Sequence, residues 1–254
     1  MRVTYGVPSM KNSSYYKVTQ LDTDLWAIED VKSSDNSISY LLCGKNKALV
    51  FDTGLGLSPV LPLIKEITEL PLIVCLSHWH FDHSGGAHEF DEVIGWHSQQ
   101  MKNTSENGVG LDVIKANVSN TFWKSIGRGD YQTKGFPLQM ISQEQTLDLG
   151  GFELKVLHTP GHTSDSICLY EGQKKWLFAG DSAYSGPIYL HFADSDANAY
   201  QNSLTKLAKL DVESIFPGHN SLKASKDSLV ELDEMLTNPS YKSQLFPELS
   251  ILKS

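Results

Sequence analysis

Short runs of apolar and β-branched residues recur along the chain, and each is bounded by turn-forming residues. Runs of about four to eight such residues are typical of β-strands. The sequence therefore predicts eight strands, over residues 25–29, 38–43, 48–52, 72–77, 152–158, 166–170, 176–179 and 214–217.

Helical spacing appears between several of these strands. Apolar residues recur near a period of 3.6 over 59–70, 197–210 and 225–236, which predicts three amphipathic helices. Alternating strands and helices in both halves favour a layered α/β fold. The stretch 96–137 is longer than an ordinary connection and partly helical around 111–125, so it is predicted to be an insertion and a candidate substrate wall.

Composition and charge narrow the classes of partner. The chain has 254 residues, of which 40% are hydrophobic and 20% charged, as in ordinary globular proteins. Its formal net charge of −9 disfavours a nucleic acid or an anionic membrane as the main partner. Three cysteines without paired spacing and an N-terminus (Met1–Gly6) without an apolar core predict a cytoplasmic protein.

The most informative motif follows the predicted strand at 72–77. It reads H-x-H-x-D-H and contains His78, His80, Asp82 and His83. Three imidazoles and a carboxylate within six residues fit a tight loop around two metal ions, with His78 and His80 at one ion and Asp82 and His83 at the other. Catalytic metal sites mix histidine with carboxylate and keep a position for water, unlike closed structural sites.

Three further metal-capable residues also follow predicted strands. His162 comes after the strand at 152–158, Asp181 after that at 176–179, and His219 after that at 214–217. Glycine or proline accompanies each of them and allows close approach of the backbone. The coincidence of four such junctions supports one shared metal site.

These motifs resemble those of the metallo-β-lactamase-fold hydrolases. The resemblance rests on H-x-H-x-D-H, H-T-P-G-H-T, F-A-G-D and P-G-H, together with Asp52-Thr53-Gly54, and it covers roughly residues 25–236. It implies a single domain over residues 1–254, folded as an αββα sandwich of two mixed sheets with the insertion at about 96–137. It also implies that one metal binds His78, His80 and His162, that a second binds Asp82, His83 and His219, and that Asp181 bridges them.

The chemistry expected of this set is hydrolysis. Two divalent ions about 3.5–4 Å apart can share a hydroxide, lower its pKa towards about 7 and polarise a carbonyl group. Asp82 would orient this nucleophile, and Tyr184 is a candidate for contacting the oxyanion. Zinc is the first expectation for the cofactor, with manganese or iron as alternatives.

Other tempting residues have simpler interpretations. We expect His158 to be a structural residue at a strand end, and Asp52 to hydrogen-bond to the metal ligands. Gly54 and Gly56 suggest a dinucleotide-binding loop, but Pro59 stands where that motif requires glycine. The chain has no G-x-S-x-G motif, so a serine nucleophile has no support.

Motifs around the predicted metal site also indicate a branch of the superfamily. The motifs around Asp52, His80–Gly86, Ser166–Leu169 and Asp181–Tyr184 look like those of acyl-CoA thioester hydrolases. We therefore expect cleavage of a thioester, an ester or a lactone. An iron-dependent oxidoreductase resembling persulfide dioxygenases is the main alternative, and a non-catalytic metal-binding protein is a third.

The expected partner is a small-molecule substrate, with neither nucleic acid nor membrane. The oligomeric state stays open, with a homodimer as one alternative. Substrate identity depends on the shape of the pocket, which a fold alone does not determine.

Overall fold

The computed structural model describes residues 14–186 and 188–237. Residues 1–6, on which the expectation of no export signal rested, lie outside this part of the chain. Twelve strands occur within the described residues: β1 (Tyr16–Asp22), β2 (Leu25–Asp30), β3 (Ile38–Cys43), β4 (Ala48–Phe51), β5 (Leu72–Cys75), β6 (Val93–Trp96), β7 (Gln139–Ile141), β8 (Thr146–Asp148), β9 (Glu153–His158), β10 (Ile167–Glu171), β11 (Trp176–Gly180) and β12 (Ser214–Pro217).

Seven α-helices accompany these strands in the described part of the chain. Three of them lie in the predicted insertion, where the side chains of Ser98 and Ser119 cap two of the helices by accepting from backbone N–H groups. In chain order the helices are α1 (Leu61–Lys65), α2 (Phe81–Ser84), α3 (Gln99–Asn107), α4 (Leu111–Asn117), α5 (Asn120–Ile126), α6 (Ala197–Ala208) and α7 (Lys226–Thr237).

The strands form two mixed sheets. The larger sheet has the order β1-β2-β3-β4-β5-β6-β7, antiparallel from β1 to β4 and parallel from β4 to β7. The smaller sheet has the order β12-β11-β10-β9-β8, with its one parallel pair between β11 and β12. The helices cover the outer faces, so the expected αββα sandwich of two mixed sheets is confirmed.

The core between the sheets follows from the alternation of side chains along each strand. On β3, Tyr40 and Leu42 face the smaller sheet, while Leu41 between them faces the helices on the other side. Aromatic rings from both sheets meet in this core: Tyr40 lies 5.8 Å from Phe178 and 5.5 Å from Phe216, measured between ring centroids. Such offset and edge contacts stabilise a core beyond the area that they bury.

The outer faces are covered in the same way. Tyr200, Leu204 and Leu207 of α6 are buried against the outer face of the smaller sheet, at the spacing of one helical face. Val60 and Ile64 at α1 cover the larger sheet. The helices therefore each bury one apolar face, whereas the central strands of the sheets bury both faces.

All eight predicted strands occur, each within two residues of its expected ends. Four strands were not predicted, namely β1, β6, β7 and β8, and two of these are only three residues long. The predicted helix at 59–70 is wrong in length, because α1 ends at Lys65. Pro71 disfavours a helical conformation at the preceding residue, Leu70, so the segment leaves the helix before β5 begins.

The insertion is more helical than expected. Helix α3 lies before the predicted helical stretch, and that stretch divides into α4 and α5 at Val118 and Ser119. Within the described residues, no helix is both long and apolar enough to cross a bilayer. The assignment of the whole chain to one domain stays a prediction.

We predict that the Tyr40 hydroxyl contributes to stability by joining the two sheets. It donates to the carbonyl oxygens of Pro217 (2.8 Å) and Leu222 (3.2 Å), while the Tyr40 side chain is buried. Tyr40→Phe should lower the free energy of unfolding by about 1 kcal/mol, measured by urea denaturation.

Tyr170→Phe is the matched control for this measurement. Its hydroxyl donates to the Asp211 carbonyl oxygen at 3.0 Å on the exposed surface. The control should change the unfolding free energy by less than about 0.5 kcal/mol. Equal losses in the two variants would contradict the role given to Tyr40.

Candidate metal centre

The seven residues predicted as ligands lie together at one edge of the sandwich. The motif from His78 to His83 follows β5 of the larger sheet, whereas His162, Asp181 and His219 follow β9, β11 and β12 of the smaller sheet. Each of these strands ends at the same edge, so packing of the two sheets brings the side chains together. All seven are buried.

Three imidazoles form the first group: His78, His80 and His162. The Nε2 atoms of His78 and His162 lie 2.9 and 3.0 Å from Nδ1 of His80. Three ring nitrogens therefore converge on one point, as ligands of one metal ion would.

Asp82, His83 and His219 form the second group. The Nε2 atoms of His83 and His219 are 3.2 Å apart, and each lies 3.2 Å from Oδ2 of Asp82. One carboxylate and two imidazoles are again a suitable set for a divalent ion.

Asp181 lies between the two groups. Its Oδ1 atom is 3.3 Å from Nε2 of His83 and 3.4 Å from Nε2 of His219, while its Oδ2 atom is 3.5 Å from Nε2 of His162. Its two oxygens thus face different groups, which is the geometry that a bridging carboxylate requires. At Gly218 a Cβ atom would lie 2.7 Å from Oδ1 of Asp181, so only glycine fits there.

Hydrogen bonds at Nδ1 set the tautomers of several rings. Nδ1 of His162 faces the Tyr189 carbonyl oxygen at 2.8 Å, and Nδ1 of His219 faces the Asp35 carbonyl oxygen at 2.9 Å. A carbonyl oxygen only accepts, so these Nδ1 atoms must carry the proton. In the neutral rings, the Nε2 lone pairs then point towards the centre of the site.

The same reasoning applies to the other two rings that use Nε2. Nδ1 of His83 is 2.9 Å from Oδ2 of Asp52, and Nδ1 of His78 is 2.9 Å from Oγ of Ser77. Ser77 donates its own proton to Asp52, so Oγ accepts from His78. In their neutral forms, the four rings therefore present Nε2 lone pairs inward, as ligands of bound cations would.

The electrostatics of the site also suit cations. Burial lowers the pKa values of His78 and His80 well below the usual range, and neighbouring imidazoles add to this, so both rings are neutral. Burial alone would raise the pKa of Asp82, but His83 and His219 outweigh it and hold that pKa well below its usual range. Ionised carboxylates and neutral imidazoles are the forms that bind metal. Oδ1 of Asp181 is buried without a hydrogen-bond partner, as expected of an atom reserved for a cation.

Asp52 and Ser77 join the two groups from behind. Oδ1 of Asp52 accepts from the Ser77 backbone N–H at 2.6 Å, and Oδ2 accepts from the Ser77 hydroxyl at 2.7 Å and from His83. Asp52 adopts a φ of +62°, in a region that few residues other than glycine occupy. The expected hydrogen bonding of Asp52 behind the ligands is therefore present in the structure.

A cavity of about 640 Å³ opens beside the seven residues. Tyr184 lies on its wall, with its ring 5.8 Å from that of His219. Its hydroxyl accepts from the Tyr189 backbone N–H at 3.3 Å, which leaves the hydroxyl proton available to another acceptor. The volume is in the usual range for a small-molecule site.

The insertion forms part of this cavity. Asn117, Val118 and Phe122 of the α4–α5 region line it, and Phe122 packs 5.8 Å from Phe81 of the metal-binding motif. The insertion is thus a wall of the candidate site.

The remaining histidines lie outside the two groups, and His158 has the structural position expected of it. His158 is a strand-end residue, stacked 4.3 Å from Trp96. His88 contacts the Gly85 carbonyl oxygen at 3.1 Å, and His97 is exposed. His191 is exposed at the mouth of the cavity and stacks on Phe192.

Sequence reasoning missed four contributors to the site. Asp35 and Tyr189 act through backbone carbonyls, which leave no side-chain signal, and Phe192 contacts the ring of His80 at 4.0 Å from a loop without a motif. Ser77 had a weak signal, since it immediately precedes His78 at a strand end.

Comparison with known proteins agrees with this geometry. The family model of the Metallo-beta-lactamase superfamily matches residues 35–219. The acyl-coenzyme A thioesterase MBLAC2 of Homo sapiens is 27% identical over 221 residues, covering 78% of each chain. A hydroxyacylglutathione hydrolase of Idiomarina loihiensis is 27% identical over 218 residues, covering 84% of this chain and 67% of the relative.

Solved structures show the same fold. An archaeal metallo-beta-lactamase superfamily protein from Sulfolobus tokodaii matches with a TM-score of 0.65 and 19% identity, covering 85% of this chain and 87% of the other. A metallo-beta-lactamase from Pontibacter korlensis matches with a TM-score of 0.63 and 21% identity, covering 88% and 99%. At these identities the likeness concerns the fold alone.

We predict that the Asp52 carboxylate maintains metal affinity. Asp52→Asn should weaken metal binding about 10- to 100-fold, because an amide offers one acceptor oxygen where the carboxylate uses two. A competition titration with a chelator measures this. Asp148→Asn is the control, since Asp148 accepts a backbone hydrogen bond from Gly150 at an exposed turn. Unchanged affinity in Asp52→Asn would contradict the prediction.

We also predict which of two nearby histidines binds metal. His162→Ala should reduce metal content to about half of the wild-type value or less, because the first group loses one of its three imidazoles. His158→Ala removes a histidine of the same loop and should leave the content unchanged. Elemental analysis of both purified variants decides between them, and equal metal loss would argue against the ligand assignment.

Proposed function

This chain belongs to the metallo-beta-lactamase superfamily, and we propose that it is a dinuclear metal-dependent hydrolase that cleaves a thioester, with acyl-CoA-type thioesters as the first candidates. Esters and lactones are the neighbouring alternatives, since their carbonyl chemistry is the same. The observation that carries the proposal is the convergence of two complete groups of metal-capable residues around Asp181, beside a cavity of substrate size.

The names of the relatives support the substrate class. Both the human acyl-coenzyme A thioesterase and the bacterial hydroxyacylglutathione hydrolase are named for thioester substrates. The two relatives have different names, but both names refer to cleavage of a thioester bond. Both names therefore indicate a hydrolase. The finer assignment to thioesters is our inference for this chain.

The first group and the second group would each hold one divalent ion, zinc being the first candidate. When bound, the ions lower the pKa of a water molecule and polarise a carbonyl group. Among the described residues, Oδ1 of Asp82 has no donor, while Oδ2 faces His83 and His219. We propose that Oδ1 accepts the proton of the attacking water.

Tyr184 would act at the carbonyl oxygen. Burial raises the pKa of its hydroxyl well above the usual value, and the carboxylate of Asp181 adds to this, so Tyr184 keeps its proton at neutral pH. A neutral hydroxyl can donate to the negative charge that develops on the carbonyl oxygen. Water oxygen then bonds to the acyl carbon, the carbon–sulfur bond breaks, and the proton held at Asp82 passes to the departing thiolate.

The proposal is tested by a substrate panel on the zinc- and manganese-loaded protein. Release of thiol from an acyl-CoA, of acid from an oxyester and of hydroxy acid from a lactone are measured in parallel. Hydrolysis of the thioester at the highest kcat/KM is the expected result. Absence of hydrolysis from all three, with two ions bound per chain, would refute the proposal. Oxygen consumption with glutathione persulfide by an iron-loaded protein would instead favour the oxidoreductase alternative.

We predict that Tyr184→Phe slows hydrolysis without loss of metal. Removing a donor to the oxyanion should lower kcat about 100-fold with little change in KM. Steady-state kinetics and elemental analysis of the same preparation measure both effects. Tyr170→Phe, which removes an exposed hydroxyl elsewhere, should keep the wild-type kcat. A Tyr184→Phe enzyme with full kcat would show that Tyr184 is only a packed aromatic residue.

Other expectations remain proposals of the same kind. A small molecule is the partner that a cavity of this volume suits. A cytoplasmic location and a homodimer are hypotheses that fractionation and light scattering would test.

A further inference from the structure

One wall of the cavity is polar and lies beside the second group. Ser34, Asp35 and Asn220 form this polar wall. The Asp35 carbonyl oxygen accepts from Nδ1 of His219, and Asn220 is the next residue in the chain after His219. The polar wall is therefore fixed in position relative to the second group.

Another wall is aromatic and lies beside the first group. Tyr189 and Phe192 form this aromatic wall. The Phe192 ring is 4.0 Å from the ring of His80 and 5.6 Å from that of His162, and the Tyr189 carbonyl oxygen accepts from His162. The two walls thus flank the site from opposite groups.

The Asp35 side chain has no evident structural role. It is only partly buried and lines the cavity, yet no described residue donates a hydrogen bond to its carboxylate. The backbone carbonyl oxygen of Asp35, rather than its side chain, holds His219. A carboxyl oxygen accepts hydrogen bonds in either protonation state, so Asp35 is suited to a donor on a ligand.

Asn220, on the same polar wall, also offers an acceptor for a hydrogen-bond donor of a ligand. The amide nitrogen of Asn220 donates to the Ser185 carbonyl oxygen at 2.5 Å, which leaves Oδ1 of Asn220 as a second acceptor. Asn220 holds a φ of +67°, a strained conformation that is common at functional positions. Among the described residues that line the cavity there is no lysine or arginine, so this wall favours neutral N–H donors over anions.

We propose that the polar wall binds a leaving-thiol arm that carries a secondary amide, with the amide N–H donating to Asp35, while the acyl group lies along the aromatic wall. This inference rests on the proposed thioester hydrolysis and specifies the substrate. The thiol arms of coenzyme A and of glutathione both carry secondary amides, so one recognition element would serve both. In this arrangement the leaving thiol lies beside Asp82, His83 and His219, and the acyl chain lies beside His78, His80 and His162.

A pair of small thioesters tests the inference. S-acetyl-N-acetylcysteamine carries an amide N–H two carbons from sulfur, and the acetyl thioester of 2-methoxyethanethiol carries an ether oxygen at that position. The wild type should favour the amide arm by about tenfold in kcat/KM, mainly through KM, because the amide N–H gains a hydrogen bond to Asp35.

Asp35→Ala should remove this preference, measured within the variant as the ratio of kcat/KM for the amide-arm and ether-arm thioesters. Asp35→Asn should restore part of it, since an amide oxygen also accepts. The control is Asp91→Ala, which removes an exposed carboxylate just before β6, away from the edge where the ligands lie. This control should keep the tenfold preference. Metal content should be equal in all variants, because Asp35 holds His219 through its backbone.

A binding measurement separates this inference from the proposed function. In the analogue of each thioester, a methylene group replaces the sulfur, and calorimetry gives its dissociation constant without turnover. Tighter binding of the amide-arm analogue that is lost in Asp35→Ala supports the inference even if no thioester is hydrolysed. Equal binding by the wild type and Asp35→Ala overturns it even if thioesters are hydrolysed well. An Asp35 effect confined to acetylthiocholine, which carries a cation and no N–H, would also overturn it.

Discussion

The buried carboxylate of Asp52 is the contact on which the geometry of the site depends. It joins the end of β4 to the end of β5 through Ser77 and reaches one ring of each group, His83 directly and His78 through the serine hydroxyl. Burying a carboxylate is costly unless hydrogen bonds replace its hydration. Three donors do so here, and each of them also orients a part of the site. The same three hydrogen bonds therefore stabilise the buried charge and orient the candidate metal ligands.

The site also depends on the packing of the two sheets, because each group takes residues from both of them. The motif from His78 to His83 belongs to the larger sheet, while His162, Asp181 and His219 belong to the smaller. The rings of Tyr40 and Phe216 hold the sheets together, and the Tyr40 hydroxyl binds the carbonyl of Pro217, two residues before His219. Ligand placement is thus a consequence of core packing rather than of loop structure alone.

Much of this arrangement could be predicted from the sequence, for identifiable reasons. Strands of the core have strong apolar runs, which predict a layered α/β fold, and the seven metal-capable residues follow strand ends, which predicts that they converge. The αββα sandwich itself was implied by the family resemblance. Strands β7 and β8 were missed because three residues carry no usable period. The parts played by Asp35 and Tyr189 were missed because both act through backbone carbonyl oxygens. Every residue type has that group, so the sequence does not mark it. The metal-capable side chains were predictable from the sequence, whereas the backbone contacts and the side chains of Ser77 and Phe192 required the three-dimensional fold.

The packing of Phe81 has a consequence for how the specificity of such a site can change. Phe81 stands between His80 and Asp82, one residue of each group, and its ring packs against Phe122 of the insertion and Tyr131. The cavity wall at Phe122 therefore packs on the short helix α2, which also carries the candidate metal ligands Asp82 and His83. A substitution that moves this wall would thus also shift two of the candidate metal ligands, so the shape of the cavity and the geometry of the second group are coupled through one side chain.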